Sequence, residues 1–223
     1  MKFLLTSGGI SNKTIENEMW RLLGGKRQGL KLLFCTTASN YSGGDMTQWL
    51  IPDLMRLCGF GFEIDVCDIN GVPKSLFMPR FAWADVFYFE GGNTQWLRKC
   101  IKETGLEEEL PMLLENKLWI GASAGSCVLS PTLENSVQDI FGENLAGYPV
   151  EGLGLVDFQF VPHFNNDFFP MIKEENLREA INGLSNSDGK YIYICDDNGA
   201  VSVDNRIVKV VSEGVVIEEN IMG

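Results

Sequence analysis

Residues 118–126, LWIGASAGS, determine how the rest of the chain is interpreted. An apolar run ends there in a Gly-x-Ser-x-Gly pattern, and small residues follow it. This pattern predicts a nucleophile elbow, in which a strand ends, turns sharply and becomes a helix while the serine hydroxyl stays exposed. Gly121 and Gly125 lack Cβ atoms, so the strand and the helix can approach closely around Ser123. The same pentapeptide also fits an ordinary strand-to-helix turn with a serine N-cap.

Short apolar runs alternate with segments of helical periodicity over the first 130 residues of the chain. We predict strands at 3–7, 30–35, 62–66, 85–89 and 118–120, and helices at 14–23, 45–58, 95–103 and 106–115. Such alternation is typical of a parallel sheet covered on both faces by helices. Ligands of these sheets bind at the carboxyl ends of the strands, where Ser123 and the glycine-rich residues 91–94 both lie.

The remainder of the chain has a different pattern. We predict a strand at 158–161, a helix at 168–182 and short strands at 190–195, 200–203, 206–211 and 214–217. Turn pairs separate these last runs and indicate hairpins, so we expect an antiparallel extension at one edge of the sheet. Because the sequence has no Pro/Ser-rich linker, charge block or internal repeat, we expect one domain over residues 1–223.

Composition narrows the classes of function. The apolar content of 45% is typical of a globular protein with a sizeable core, and the formal charge of −12 argues against binding to nucleic acid or anionic membranes. The six cysteines form no Cys-x-x-Cys pair and lie mostly in apolar runs, which fits a reducing compartment. With no signal-peptide pattern and no apolar run long enough to cross a bilayer, we expect a cytoplasmic protein.

A serine hydroxyl becomes a good nucleophile only when a base removes its proton, and histidine is the usual base. His163 is the single histidine of the chain, and it follows the predicted strand at 158–161, so it can reach the same sheet edge as Ser123. A third group normally orients the histidine. Glu134, Asp139 and Glu143 lie between the two in sequence, and the residues alone do not choose among them.

The turn formed by Gly91, Gly92, Asn93 and Thr94 offers a second part of a site. Glycines after a strand allow backbone N–H groups to face a ligand closely. The N–H groups of Gly92 and Ala124 could together form an oxyanion hole, with Asn93 beside the substrate. The other interpretation is a plain turn in which Asn93 or Thr94 caps the next helix.

Three blocks of sequence, residues 91–94, 121–125 and 162–164, resemble the dipeptidase E / cyanophycinase family of serine peptidases in order and spacing, as do Pro131-Thr132. The resemblance covers nearly the whole chain. It implies a flavodoxin-like three-layer α/β sandwich similar to class I glutamine amidotransferases, with serine in place of their cysteine. It also implies a Ser123 nucleophile, a His163 base and an oxyanion hole formed by Gly92 and Ala124.

The chain departs from this family at two places. In dipeptidase E the acidic triad member follows the Pro-Thr pair, and counting without gaps puts Gln138 at its position, so the adjacent Asp139 is our candidate. The basic segment that follows the histidine in the aspartate-specific enzyme reads DFFPMIKE here, at residues 167–174. Lys173 or Arg178 could replace the missing arginine, but the pattern does not predict aspartyl specificity.

We therefore predict a serine peptidase that acts on dipeptides or other small peptides and requires neither a metal nor an organic cofactor. Two alternatives remain at this point: a non-catalytic binding or regulatory protein on the same fold, and a hydrolase of another small acyl or amide substrate. Cys127 lies one helical turn beyond the elbow, which disfavours an amidotransferase. Edge strands and apolar residues such as Trp49 and Phe77 could need cover, which is compatible with a homodimer.

Overall fold

The computed structural model of the protein describes residues 1–41, 46–143, 145–184 and 191–220. Its main sheet contains seven strands: β1 (Lys2–Thr6), β2 (Lys31–Cys35), β3 (Glu63–Cys67), β4 (Val86–Phe89), β5 (Leu118–Ala122), β8 (Gly199–Asp204) and β9 (Ile207–Ser212). The spatial order is β3-β2-β4-β5-β1-β8-β9. The first five strands of this order are parallel, whereas β8 runs antiparallel to β1 and β9 antiparallel to β8.

Helices cover both faces of this sheet. They are α1 (Lys13–Leu22), α2 (Leu50–Gly59), α3 (Lys74–Trp83), α4 (Thr94–Glu103), α5 (Leu106–Leu113), α6 (Ala124–Cys127) and α7 (Leu177–Leu184). Successive strand residues alternate between two apolar clusters, as in β5, where Trp119 belongs to one and Ile120 to the other. Helices α1 and α2 contribute to the Ile120 cluster, and α3, α4 and α5 contribute to the Trp119 cluster. The result is a three-layer arrangement with the sheet in the middle.

Three further strands form a smaller sheet: β6 (Phe158–Val161), β7 (Tyr191–Cys195) and β10 (Val216–Asn220). Strand β7 lies in the middle, parallel to β6 and antiparallel to β10. Phe158 and Tyr193 from this sheet pack into the Trp119 cluster. The β7–β8 connection passes from the small sheet into the main sheet, so residues 196–198 lie between the two.

The predicted α/β class, with a mostly parallel sheet and an antiparallel hairpin from the C-terminal part, is confirmed. The elements predicted in the first 130 residues also form within a few residues of their expected bounds. The starts of the predicted helix at residue 45 and the predicted strand at residue 190 lie outside the described residues.

Other predictions were wrong. Helix α3 was not predicted, because Pro79 interrupts its pattern, although Phe77 and Phe81 are spaced four residues apart and are fully buried. Phe77 therefore needs no cover from a partner. The helix expected at 168–182 is replaced by 3₁₀ turns at Pro170–Ile172 and Glu174–Asn176, and a regular helix begins only at Leu177. Strands β7 and β10 join β6 instead of the main sheet.

None of the helices in the described part of the chain combines the length and apolar character needed to cross a membrane.

Candidate active site

Ser123 stands at the turn between β5 and α6 with φ 48° and ψ −109°, a conformation that residues with a side chain seldom adopt. Close packing enforces this turn. A Cβ atom on Gly121 would lie 2.3 Å from the carbonyl oxygen of Gly125, and one on Gly125 would lie 2.0 Å from the carbonyl oxygen of Phe89. The Oγ of Ser126 donates to Thr6 and Gly121 carbonyl oxygens. Ser123 thus stands at a sharp, closely packed turn between strand and helix.

His163 follows β6 directly, in the left-handed region at φ 67°. Its Nε2 atom lies 2.8 Å from the Oγ atom of Ser123. The ring is stacked on Phe169 at a centroid distance of 4.6 Å, and Phe141 approaches it edge-on at 6.4 Å. Aromatic packing on the ring restricts its rotation, so the imidazole is held in one orientation toward Ser123.

The second ring nitrogen of His163 faces Asp197 and not Asp139. Its Nδ1 atom lies 2.6 Å from Oδ1 of Asp197, which stands in the turn between β7 and β8. Because Nδ1 is occupied by Asp197 and Nε2 by Ser123, no ring nitrogen is left for Asp139. Asp139 ends a short π-helical segment, Glu134–Asp139, and is exposed. The structure therefore brings Asp197, and not Asp139, to the imidazole.

The Asp197 carboxylate is itself held by two other side chains. Oδ2 accepts a 2.7 Å hydrogen bond from Nδ2 of Asn166, and Oδ1 accepts one of 3.1 Å from the Oγ of Ser7. The Ser7 hydroxyl in turn accepts a 2.8 Å bond from the backbone N–H of His163. Partial burial alone would raise the pKa of Asp197, but the hydrogen bonds from His163, Asn166 and Ser7 outweigh it and lower the pKa below its usual value. The carboxylate thus stays ionised beside the imidazole.

The glycine-rich turn after β4 lies against the elbow. A Cβ atom on Gly91 would be 3.3 Å from the Cβ of Ser123, and Gly92 adopts φ 134°. Within the described residues, the N–H groups of Gly92 and Ala124 donate to no protein acceptor. The side-chain oxygen of Asn93 accepts from the N–H of Trp96 at 2.8 Å, so it caps α4. Asn93 thus serves as a helix cap, as in the second interpretation of this turn.

The remaining candidates from the sequence have other partners. Glu143 caps the N-terminus of α4 by accepting from the backbone N–H groups of Thr94 and Gln95. Lys173, one candidate to replace the family arginine, pairs with the exposed carboxylate of Asp167 at 2.7 Å. Cys127 is buried inside α6, and burial raises the pKa of its thiol well above the usual value. These residues do not form part of the hydrogen-bonded chain around Ser123.

Sequence reasoning missed three residues of this arrangement: Asp197, Ser7 and Asn166. Asp197 stood only as part of a predicted turn, Asp197-Asn198-Gly199, because the search for an acid was limited to the interval between Ser123 and His163. Chain order among triad members differs between unrelated hydrolases, so a wider search would have included Asp197. Ser7 had a detectable signal, since it follows the first strand at the same sheet edge.

The model of peptidase family S51 matches residues 3–211 of this chain. An uncharacterized peptidase of Listeria monocytogenes is 30% identical over 159 residues, which cover 68% of this chain and 74% of that protein. A peptidase E of Nostoc sp. is 36% identical over 99 residues, covering 44% of this chain and 40% of that protein.

Solved structures agree on the fold. A Listeria monocytogenes protein that carries the peptidase E name aligns with a TM-score of 0.77 at 22% identity, over 96% of this chain and 98% of that chain. A peptidase from an acI-B1 actinobacterium aligns with a TM-score of 0.69 at 18% identity, over 96% and 88% of the two chains. On the match over residues 3–211 and these relatives, the chain belongs to peptidase family S51, the dipeptidase E-like serine peptidases, and is a peptidase.

Proposed function

We propose that the chain hydrolyses small peptides, with Ser123 as the nucleophile, His163 as the general base and acid, and Asp197 as the group that orients the imidazole. The observation that carries this proposal is the continuous path of hydrogen bonds, 2.8 Å from Ser123 to His163 and 2.6 Å from His163 to Asp197. Both distances lie within the range that proton transfer requires.

The hydrogen bond to Asp197 favours one tautomer of the base. When Nδ1–H donates to the carboxylate, Nε2 is left as an acceptor for the Ser123 hydroxyl. In the first step the Ser123 oxygen bonds to the scissile carbonyl carbon and its proton passes to Nε2. His163 then returns this proton to the leaving amine as the C–N bond breaks, which yields an acyl ester on Ser123. A water molecule then attacks the ester carbonyl carbon as His163 takes one of its protons. The bond from that carbon to the Ser123 oxygen breaks, the oxygen takes the proton from His163, and the carboxylic acid leaves.

The tetrahedral intermediates carry a negative oxygen that needs hydrogen-bond donors. We assign this role to the backbone N–H groups of Gly92 and Ala124, which lie beside Ser123 and have no protein acceptor within the described residues. Both donors belong to closely packed turns, so they do not have to reorganise during the reaction. The ionised Asp197 stabilises the imidazolium that forms at the same moment.

Small peptides are the proposed substrates because the related proteins are named peptidases, two of them peptidase E. We do not extend the proposal to aspartyl peptides, since Lys173 is paired with Asp167. A hydrolase of another acyl compound would use the same Ser123 chemistry, and only its substrate would differ.

The proposal is tested with Ser123→Ala, measured by fluorophosphonate labelling and by turnover of a dipeptide library. We expect the wild type to be labelled once per chain at Ser123 and the variant to remain unlabelled. Turnover by the variant should fall by about 10⁴-fold or more. Ser202→Ala, which removes a buried serine hydroxyl on β8 away from this turn, is the control and keeps its label.

Equal labelling of the wild type and Ser123→Ala would rule out Ser123 as the nucleophile. Labelling without turnover of any dipeptide would favour a hydrolase of other acyl substrates, which a panel of esters and amides would then identify. A folded wild type that shows neither labelling nor turnover would favour the non-catalytic binding protein.

A further inference from the structure

The peptide unit that joins Gly91 to Gly92 is held from one side by a buried side chain. The Oγ atom of Ser39 donates a 2.8 Å hydrogen bond to the carbonyl oxygen of Gly91. Ser39 follows β2 and is only 2% exposed. This side chain reaches across from a neighbouring strand end to the turn beside Ser123, and the proposed mechanism does not use it.

The flanking backbone groups of the same turn are also engaged. The N–H of Gly91 donates to Oε1 of Glu90 at 2.8 Å, and the N–H of Asn93 donates to the carbonyl oxygen of Ala38 at 3.1 Å. A Cβ atom on Gly92 would lie 2.3 Å from that Ala38 oxygen. The turn is therefore pressed against residues 38–39, and the N–H of Gly92 is left without a protein acceptor in the described residues.

The hydrogen bond from Ser39 determines where the Gly92 N–H points. In a trans peptide unit the C=O and the following N–H point in opposite directions. Because the Gly91 carbonyl is directed at Ser39, the Gly92 N–H is directed away from residues 38–39. Gly91 lies on Ser123, with 3.9 Å between its ideal Cβ position and the Ser123 Oγ.

The hydrogen bond from Ser39 restrains a peptide unit between two glycines, which are the residues with the most backbone freedom. Neither residue has a Cβ atom that would itself limit the backbone dihedral angles on the two sides of the shared peptide. A flipped peptide would reverse the direction of the Gly92 N–H and leave the Ser39 hydroxyl buried without its acceptor. Leaving a buried polar group without a partner is unfavourable, so the hydrogen bond opposes the flip.

We propose that Ser39 is a positioning residue, which fixes the Gly92 N–H in the direction needed to stabilise the oxyanion. The inference rests on the proposed function, because it assumes that Ser123 is the nucleophile. Ser39 acts through the Gly91–Gly92 peptide and does not itself contact the substrate.

The test measures the second-order rate of fluorophosphonate labelling in Ser39→Ala. The phosphonyl oxygen of this probe takes the position of the oxyanion, so its rate depends on the Gly92 N–H. Removal of one oxyanion donor costs about 10² to 10³ in rate, and loss of its orientation should cost less, about tenfold. We expect the final stoichiometry to remain one label per chain. We also expect the midpoint of the pH–rate profile to stay that of the wild type, because His163 and Asp197 are untouched.

Two further variants separate positioning from general stability. Ser202→Ala removes another buried hydroxyl, which lies on β8 and donates a 2.7 Å hydrogen bond to Glu18. This variant should be labelled at the wild-type rate. Ser39→Thr keeps a hydroxyl and should label faster than Ser39→Ala. The proposal is overturned if Ser39→Ala labels within about twofold of the wild type, if Ser202→Ala slows equally, or if Ser39→Thr is the slower of the two Ser39 variants. An unlabelled wild type would instead refute the proposed function.

Discussion

Asp197 holds the imidazole through a single short hydrogen bond, and its own position depends on Ser7 and Asn166. An amide at this position can donate to Nδ1 and so favour the wrong tautomer, in which Nε2 carries the proton. We therefore predict that Asp197→Asn lowers kcat by about 10² to 10⁴, with little change in KM. Steady-state kinetics on a peptide that the wild type cleaves would measure this loss.

Asp139→Asn is the matched control for that prediction. Asp139 is exposed and His163 has no nitrogen left for it, so kcat should stay within about twofold of the wild type. A large loss in Asp139→Asn together with a small one in Asp197→Asn would show that the acid was assigned to the wrong residue.

These two residues also show how far sequence reasoning reaches at a single position. Ser123 and His163 carry recognisable local signals, a Gly-x-Ser-x-Gly pattern and a lone histidine after a strand. Asp197 has no such signal, since its role depends on a turn that crosses from the small sheet to the main sheet. That turn joins two consecutive strands that belong to different sheets, and neither periodicity nor turn propensity predicts such a change of sheet.

At the scale of the elements, a carboxylate from a distant segment caps the first turn of α4. Glu143 accepts from the N–H groups of Thr94 and Gln95 at 2.7 and 3.2 Å. Burial raises the pKa of Glu143 to about 7, although these hydrogen bonds act in the opposite direction. The same segment carries Phe141, whose ring meets His163 edge-on. The cap thus connects α4 to the surroundings of the imidazole.

The raised pKa predicts how stability changes with pH. A carboxyl group that binds its proton more tightly when folded stabilises the protein below pH 4.5, and this contribution is lost as the pH rises through about 7. Glu143→Gln has no group that titrates at this position, so it does not lose this stability as the pH rises. The free energy of unfolding of the variant, relative to that of the wild type, should therefore increase between pH 4.5 and about 7. The slope should be at most about 1.4 kcal/mol per pH unit.

Urea denaturation at a series of pH values would measure this difference. Glu134→Gln, an exposed change in the π-helical segment nearby, serves as the control and should follow the wild type at every pH. A Glu143→Gln variant with the same pH dependence as the wild type would mean that Glu143 titrates at an ordinary pH.

The regular elements of the first part of the chain could be predicted because each buries a periodic apolar face, as α1 does with Ile15 and Met19. The segment at 163–176 could not, because side chains there bond locally to the backbone. Asn166 accepts from the N–H of Phe168, and Asn165 accepts from the N–H of Glu174. Such bonds compete with helix formation, which explains why the predicted helix begins late.

At the scale of the whole molecule, Glu18 joins the first helix to the last strands of the main sheet. Its carboxylate accepts from Arg21 on its own helix, from Ser202 on β8 and from Lys209 on β9, at 2.7 to 2.9 Å. Burial alone would raise the pKa of Glu18, but these hydrogen bonds dominate and lower it to about 2. The carboxylate thus remains ionised in a position that is 4% exposed.

Because the pKa of Glu18 is lower in the folded protein than in the unfolded chain, its ionised carboxylate stabilises the fold above pH 4.5. This contribution is lost as the pH falls through about 2. We predict that Glu18→Gln lowers the free energy of unfolding by about 3 kcal/mol at neutral pH, and that the difference shrinks toward zero in acid. Urea denaturation of the variant, with the exposed Glu108→Gln as control, would measure it. A difference that does not depend on pH would contradict the assignment.

The overall class could be predicted because alternation of strands and helices requires a covered parallel sheet. Division of the C-terminal strands between two sheets could not, since β7 and β8 have similar apolar patterns. Which sheet each strand joins depends on packing against residues such as Phe158 and Trp119, far away in sequence.

The position of β8 beside β1 has a consequence for biosynthesis. The first strand meets its antiparallel neighbour only after some 200 residues have been made, and Asp197 immediately precedes that neighbour. A nascent polypeptide that has emerged to just beyond His163 would carry the Ser123 hydroxyl and the imidazole without the carboxylate behind them. The proposed hydrolysis, which depends on this carboxylate, would therefore arise only after the segment from Asp197 to β8 has also been made.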